Sequence, residues 1–257
     1  MSTPLPTVDA WYDALQERHL KSLTFQEVRR AVQALSKIYV QNRHRLSEGA
    51  VLSGAGKRAA FALFYGPIHL LFLRQLIEAL PIEPNSIRNV LDFGCGTGIG
   101  GAAWALATDS SPHINGVDIN SWAASEAQWT YRFFGLGCKT TKGDATHALG
   151  KKSWDVMIGA YAINELPEEV RNQALSQVLK RADEGKGILI IEPIAKKQIP
   201  YWKRWSQEFE KRGGRNDEWS FELAMPEQLA LLDKASGLNH RRMKGRSLWL
   251  PPKKITP

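Results

Sequence analysis

The stretch Val90-Leu91-Asp92-Phe93-Gly94-Cys95-Gly96-Thr97-Gly98 carries the clearest chemical signal in the chain. An apolar run ends on an acid, and three glycines alternate before a helical pattern opens. A backbone free of side chains can turn tightly there and bring its amides against a ligand at a helix N-terminus. Gly96, Gly98 and Gly101 also satisfy the G-x-G-x-x-G spacing of dinucleotide loops, a match of low specificity by itself. Asp92 separates the two readings. A carboxylate just before the glycines would repel a pyrophosphate but not a cationic sulfonium amino acid, which favours S-adenosylmethionine.

Two more acids stand at comparable places: Asp118 closes the run His113–Asp118, and Asp144 follows Cys138–Lys142. Singly, each reads as an exposed loop or cap residue. Together they place acids at the ends of three successive strands, the edge where parallel sheets bind ligands.

The elements that must hold these residues follow from periodicity. Asn89–Phe93, His113–Asp118, Cys138–Lys142, Trp154–Ala160 and Gly187–Glu192 are short apolar runs suited to a buried parallel sheet. Helical patterns lie between them at Ile99–Thr108, Ser121–Phe134 and Glu168–Ala182, and the alternation predicts a doubly wound α/β sheet. Leu238–Lys244 and Ser247–Leu250, separated by Gly245-Arg246, are expected to form an antiparallel hairpin at its edge. Residues 1–85 read as a helical extension. Thr24 and Glu27 form a capping-box pattern ahead of an apolar stripe, Ser47–Lys57 reads as a loop, and two helical stretches break at Gly66-Pro67. The domains expected are 1–85, helical, and 86–257, α/β, with a basic aromatic insertion at 196–225.

VLDFGCGTG resembles the first motif of class I S-adenosylmethionine-dependent methyltransferases, and the similarity continues downstream over roughly residues 86–250. The resemblance implies a seven-stranded, mostly parallel sheet with its last strand antiparallel, and S-adenosylmethionine as cofactor. It implies that Asp92, Gly94, Cys95, Gly96 and Gly98 form the cofactor loop and that Asp118 grips the ribose hydroxyls. Asp144 would accept from the adenine amino group, Ile119 and Ala145 would flank the ring, and Ala160, at the end of the fourth strand, is expected among the cofactor-binding residues.

Gly159–Pro167 then occupies the acceptor side. It lacks the Asn- or Asp-Pro-Pro-aromatic segment of base-amino methyltransferases, and neither cysteine, Cys95 or Cys138, lies where a cytosine-carbon enzyme keeps its nucleophile. Ala160–Pro167 is instead similar to the tyrosine-x-x-x-glutamate-leucine-proline stretch of methyltransferase-like proteins of small-ribosomal-subunit assembly, as is Arg58–Phe72 to their helical lead-in. Mitochondrial members carry cysteines toward the C-terminus. Residues 139–257 have none, so no iron–sulfur cluster is expected. Asn164 and Glu165 are the acceptor-side candidates, as hydrogen-bonding groups or, for Glu165, as a general base; equally, either residue would cap the helix that follows. Tyr161 would stack on a base or serve as a core residue.

Composition bounds the partners. The 257 residues are 43% hydrophobic and 23% charged, enough for a sizeable core. Of the formal net charge of +8, residues 196–257 contribute +7. This asymmetry suggests a polyanionic partner, RNA before acidic lipid, or a basic face kept for solubility. In 196–225, Lys196, Lys197, Lys203, Arg204, Lys211, Arg212 and Arg215 interleave with Tyr201, Trp202, Trp205 and Trp219. That pattern suits a single-stranded RNA surface, or an amphipathic lid helix with Trp202, Trp205 and Phe209 turned inward. The longest uncharged apolar run, Ala59–Leu73, is too short and interrupted for a membrane span. Two cysteines and no secretory leader point to a reducing cytoplasm, and six scattered histidines to no metal site. The expected function is methylation of RNA, plausibly ribosomal. The alternatives are a cofactor-binding assembly factor without turnover and a small-molecule methyltransferase.

Overall fold

The computed structural model describes residues 4–41, 52, 54–83, 87–151, 153–194 and 200–253. Lys196 and Lys197, and most of the loop expected at Ser47–Lys57, lie outside these residues. Contacts group the chain into two compact units, Met1–Leu73 with Phe221–Met243 and Arg74–Ser220 with Lys244–Pro257. The boundary therefore falls within a helix rather than at 85/86, and a C-terminal segment joins the N-terminal helices.

The first unit is helical. In α1 (Val8–His19) the side chains of Trp11, Tyr12 and Leu15 are buried, and the Tyr12 hydroxyl donates to the Leu63 carbonyl at 3.3 Å. α2 (Phe25–Gln41) opens on the expected capping box. The Thr24 N–H donates to Glu27 Oε2 at 2.7 Å and the Glu27 N–H to Thr24 Oγ1 at 3.3 Å. The break expected at Gly66-Pro67 does not occur. α3 (Ala55–Ala60), a π turn (Phe61–Tyr65) and α4 (Gly66–Glu78) run on as one helix, in which the Gly66 N–H reaches back to the Phe61 carbonyl. A π turn widens the helix and accommodates a proline that would otherwise clash with the preceding turn. Ala55–Glu78 is thereby 24 residues long and contains an 18-residue window of mean hydropathy 1.4, long and apolar enough to cross a membrane by length and composition alone; 72% of that window is buried within the structure. The expectation drawn from Ala59–Leu73 missed this because it counted the apolar run and not the helix. α10 (Glu227–Ser236) completes this unit, its Ser236 carbonyl accepting from the Ser36 hydroxyl at 2.7 Å.

The second unit is built on the sheet. Its strands are β1 (Asn89–Phe93), β2 (His113–Asp118), β3 (Cys138–Lys142), β4 (Val156–Ala160), β5 (Gly187–Pro193), β6 (Arg215–Glu222) and β7 (Arg242–Leu250), in the order β3-β2-β1-β4-β5-β7-β6. The pairs among β1 to β5 are parallel, and β7 runs antiparallel to β5. α5 (Ile99–Thr108), α6 (Ser121–Phe133), α7 (Thr146–Leu149), α8 (Glu168–Asp183) and α9 (Trp202–Glu210) connect them. Strand β1 is buried beyond its first residue, as a parallel strand covered on both faces must be.

The edge hairpin is replaced by a different arrangement. Gly245-Arg246 is not a turn: β7 runs straight through it, Arg246 pairing with Glu192 and Gly245 with Pro193. The partner strand β6 comes from 215–222, read from sequence as part of an insertion. Its side chains alternate between half-buried Asp217, Trp219 and Phe221 and exposed neighbours. At a sheet edge the exposed positions are free to be charged, which hides a strand from any search for apolar runs.

Candidate active site

The glycine loop leaves β1 and enters α5 with Gly98 at the N-cap, φ +85. A Cβ there would lie 2.8 Å from Ala127 Cα, and one at Gly94, φ +62, would lie 2.7 Å from Ala162 Cβ. Close backbone approach therefore demands glycine at both positions. Gly96 differs, because nothing lies within 4 Å of where its Cβ would be. The loop is packed tightly at both ends and open in the middle, a cradle bounded by backbone amides.

Asp92 sits beneath this cradle rather than in it. Only 1% exposed, its Oδ2 accepts the Gly101 N–H at 2.6 Å and the Tyr131 hydroxyl at 2.7 Å, and its Oδ1 would be 2.8 Å from any Cβ on Gly100. Burial pushes its carboxyl up to about 7, against these two hydrogen bonds. Asp92 thus ties β1 to the first turn of α5 and to α6. The Cys95 side chain is likewise buried, close to Gly116 of β2, and its thiol is pushed well up by burial; the part of Cys95 that belongs to the loop is its backbone.

Asp118 is brought directly to the loop. Its Oδ2 accepts the Gly96 N–H at 2.9 Å and its Oδ1 the Asn120 N–H at 2.8 Å. Desolvation raises its pKa, opposed by those two bonds. Each oxygen keeps acceptor capacity beyond these contacts. Next to it Ile119 is 72% exposed; among the described residues only Leu231 is another large hydrophobic side chain so placed. An apolar platform beside a carboxylate, reached from an open glycine cradle, fits the adenosine part of S-adenosylmethionine. Asp144 is exposed at the end of β3, Oδ1 accepting both the N–H and the hydroxyl of Thr146 at 2.8 and 2.7 Å. Slight desolvation would raise its pKa, but those bonds hold it below the ordinary carboxylate range. Ala145 is buried in the core beside β1 and α7 residues such as Phe93 and Leu149, so its side chain offers little surface to an adenine ring.

β4 ends at Ala160, and Tyr161 turns the chain at φ +57, unusual for a residue with a Cβ and a form of strain concentrated at functional sites. Its N–H donates to the Ile191 carbonyl at 2.9 Å, and Ala162 closes against Gly94, so the turn is braced by β5 and by the cofactor loop. Asn164 and Glu165 lie in the 3₁₀ turn Ile163–Glu165, half-buried and exposed respectively. Neither caps α8: its N-cap is Pro167, without a side-chain hydrogen bond.

Sequence reasoning missed Glu192. It ends the apolar part of β5 with 0% exposure, and its Oε1 accepts the Asn164 N–H and the Tyr201 hydroxyl, each at 3.0 Å. Burial pushes its carboxyl up to about 8. Its sequence signal was one acid closing the run Ile188-Leu189-Ile190-Ile191 at a carboxyl end. Around it the Arg171 guanidinium lies 4.4 Å over the Tyr201 ring.

The basic aromatic segment resolves toward the amphipathic reading. Trp202, Trp205 and Phe209 are buried on the inner face of α9, and the Trp202 ring N–H donates to Asn216 Oδ1 at 3.0 Å. Trp202 and Trp205 therefore present no free ring for base stacking, a correction to the RNA-surface expectation. Arg212 pairs with Asp183 and Glu208, Lys211 with Glu208, and Arg215 with Asp217. Arg246 is buried, donating to the Ile194 carbonyl at 2.7 Å. Lys203, Arg204, Arg241, Arg242 and Lys244 are exposed, with Arg204 donating to Asn172 Oδ1 at 2.8 Å and Arg242 paired with Glu222 at 2.7 Å. Among the described residues no three His, Cys, Asp or Glu side chains gather as a metal site.

Residues 90–185 match a family described as a methyltransferase domain. No curated protein matches the chain. Among solved structures it is similar to an O-methyltransferase family protein from Burkholderia thailandensis, at 12% identity and a TM-score of 0.57 over 94% of this chain and 77% of that one. It is also similar to the mitomycin 7-O-methyltransferase MmcR, at 16% identity and a TM-score of 0.52 over 97% and 74%. These likenesses establish the fold. The family match over β1 to α8 supports a methyltransferase domain in that part of the chain, and the cradle formed by Gly96, Asp118 and Ile119 suits S-adenosylmethionine as its cofactor.

Proposed function

We propose that this methyltransferase acts on RNA, with ribosomal RNA or an assembling small subunit as the favoured acceptor. The observation that carries the reading is the concentration of charge: residues 196–257 hold +7 of the net +8, and Lys203, Arg204, Arg241, Arg242 and Lys244 are exposed. Phosphate neutralisation by such residues supplies sequence-independent affinity. The similarity of Ala160–Pro167 to the small-subunit assembly proteins supports the ribosomal form of the reading.

When bound, S-adenosylmethionine supplies an electrophilic methyl group on a sulfonium. The Gly94–Gly98 backbone, Asp118 and Ile119 would hold it. The turn Tyr161–Glu165, fixed between the loop and β5, orients the acceptor, and Asn164 and Glu165 offer hydrogen-bonding groups to it. Catalysis on such a site rests on alignment and exclusion of water.

One observation favours a second reading, a small-molecule acceptor: the tryptophans of α9 are buried, and Lys211, Arg212 and Arg215 are engaged within the protein. Incubation with tritiated S-adenosylmethionine, total cellular RNA and a protein-free small-molecule extract separates the two. Label in RNA, with binding that weakens steeply as salt rises, supports the first. Label confined to the extract, at salt-independent affinity, replaces it with the second. Cofactor binding with association to ribosomal particles and no transfer to either fraction replaces both with an assembly factor.

A further inference from the structure

Two buried oxygens on the acceptor side have no hydrogen-bond partner among the described residues: Glu192 Oε2 and Asn164 Oδ1. They belong to residues already joined, since the Asn164 N–H donates to Glu192 Oε1. Both are acceptors, and a buried acceptor without a donor is costly, still more so if its group is charged. Among the described residues no cation lies within ion-pair distance of Glu192. Arg171, on α8, donates to the Leu166 carbonyl at 2.8 Å and lies over the Tyr201 ring. Arg246, paired with Glu192 across β7, donates to the Ile194 carbonyl and faces Glu218 at 3.6 Å. The remaining titratable groups around the carboxyl are Glu165, whose charge disfavours ionisation, and the hydroxyls of Tyr161 and Tyr201. A proton on Oε2 would turn one orphaned oxygen into a donor, and the other, Asn164 Oδ1, is an acceptor on the residue whose N–H the same carboxyl already receives.

We propose that Glu192 is a positioning residue of the acceptor side that works as a neutral acid, its Oε1 accepting from Asn164 N–H and Tyr201 while its Oε2–H donates to Asn164 Oδ1. Asn164 is thereby fixed with its amide N–H₂ left for the methyl acceptor. The inference rests on the reading of Tyr161–Glu165 as the acceptor side. Ionisation of Glu192 removes that donor, so the turn loosens and methyl transfer falls. The burial that holds its proton up to about 8 puts that loss on the alkaline side of neutrality. The role is opposite to that of a general base, which must be ionised to act.

The full chain, Glu192→Gln and Glu192→Ala are compared in two measurements. Thermal melting from pH 5 to 9 needs no acceptor. A carboxyl whose folded pKa is raised contributes stability that is present at low pH and lost as pH climbs from the ordinary carboxylate range to about 8. The melting temperature of the wild type should therefore fall through that window relative to Glu192→Gln, whose carboxamide keeps both an acceptor and a donor without titrating. Single-turnover transfer from tritiated S-adenosylmethionine to total cellular RNA gives the second readout. Wild-type transfer should decline by up to about tenfold between pH 7 and 9, Glu192→Gln should recover at pH 7 most of what Glu192→Ala loses, and its profile should stay flat to pH 9. Parallel melting curves for wild type and Glu192→Gln overturn the proposal, as does a Glu192→Gln variant as inactive as Glu192→Ala at pH 7. If RNA takes no methyl group from the wild type, the RNA reading fails by itself, and the melting comparison alone decides for or against a protonated Glu192.

Discussion

Replacing Asp118 tests the cofactor site at its most informative residue, because the same carboxylate supports the loop and faces the cradle. Its oxygens accept the Gly96 and Asn120 N–H groups at 2.9 and 2.8 Å, and their remaining lone pairs are what a ribose diol would use. Hydrogen bonds to a charged group contribute about 1.5–3 kcal/mol each, with partial overlap when two share one carboxylate. Asp118→Ala should therefore weaken S-adenosylmethionine binding by about 2–4 kcal/mol, roughly 30- to 1000-fold in Kd. Asp118→Asn is the sharper perturbation: it keeps the shape but turns one acceptor into a donor, which must then meet the Gly96 or the Asn120 N–H. Titration calorimetry gives the affinities, and thermal melting without cofactor gives the structural cost of losing the loop contacts. A Kd within twofold of wild type in the Ala variant, with melting lowered by several degrees, would reduce Asp118 to a loop strut and refute the site.

Other consequences follow from the same geometry. Gly98→Ala forces a Cβ to 2.8 Å from Ala127 Cα at φ +85 and should destabilise the fold by about 2 kcal/mol or more in urea unfolding, whereas Gly96→Ala meets nothing and should lose cofactor affinity at a cost of only about 1 kcal/mol in stability. Tyr131→Phe removes one of two donors to buried Asp92 and should cost about 1–3 kcal/mol, read by chemical denaturation at pH 8. Because the Asp92 carboxyl is pushed up to about 7, wild-type stability should fall as pH rises from the ordinary carboxylate range to 7, and Asp92→Asn should flatten that slope. On the basic face, replacing Lys203 and Arg204 by Ser should reduce the salt slope of RNA binding by about two without lowering the melting temperature; replacing Arg212 should lower stability instead, since it holds Asp183 and Glu208.

Features encoded by near neighbours were legible in the sequence. The positive-φ glycines, the Thr24–Glu27 capping box and strands β1 to β3 all appear where their residues require, because φ/ψ permissiveness, capping and short apolar runs act over a few residues. The acids at three strand ends were legible for the same reason: a parallel α/β repeat puts each strand's carboxyl end at one edge. What those acids do was decided by partners far along the chain. Asp92 faces Tyr131, 39 residues away, and so braces the loop from beneath; Glu192 receives the Asn164 N–H, 28 residues away, and so ties β5 to the turn on the acceptor side. Strand β6 and the unbroken β7 likewise depended on sheet neighbours, since an edge strand tolerates charge and a central one can bury Arg246 once a carbonyl receives it. Periodicity specifies which residues form an element; only tertiary packing specifies which polar group meets which, and in a low-dielectric interior that meeting sets its charge and its role.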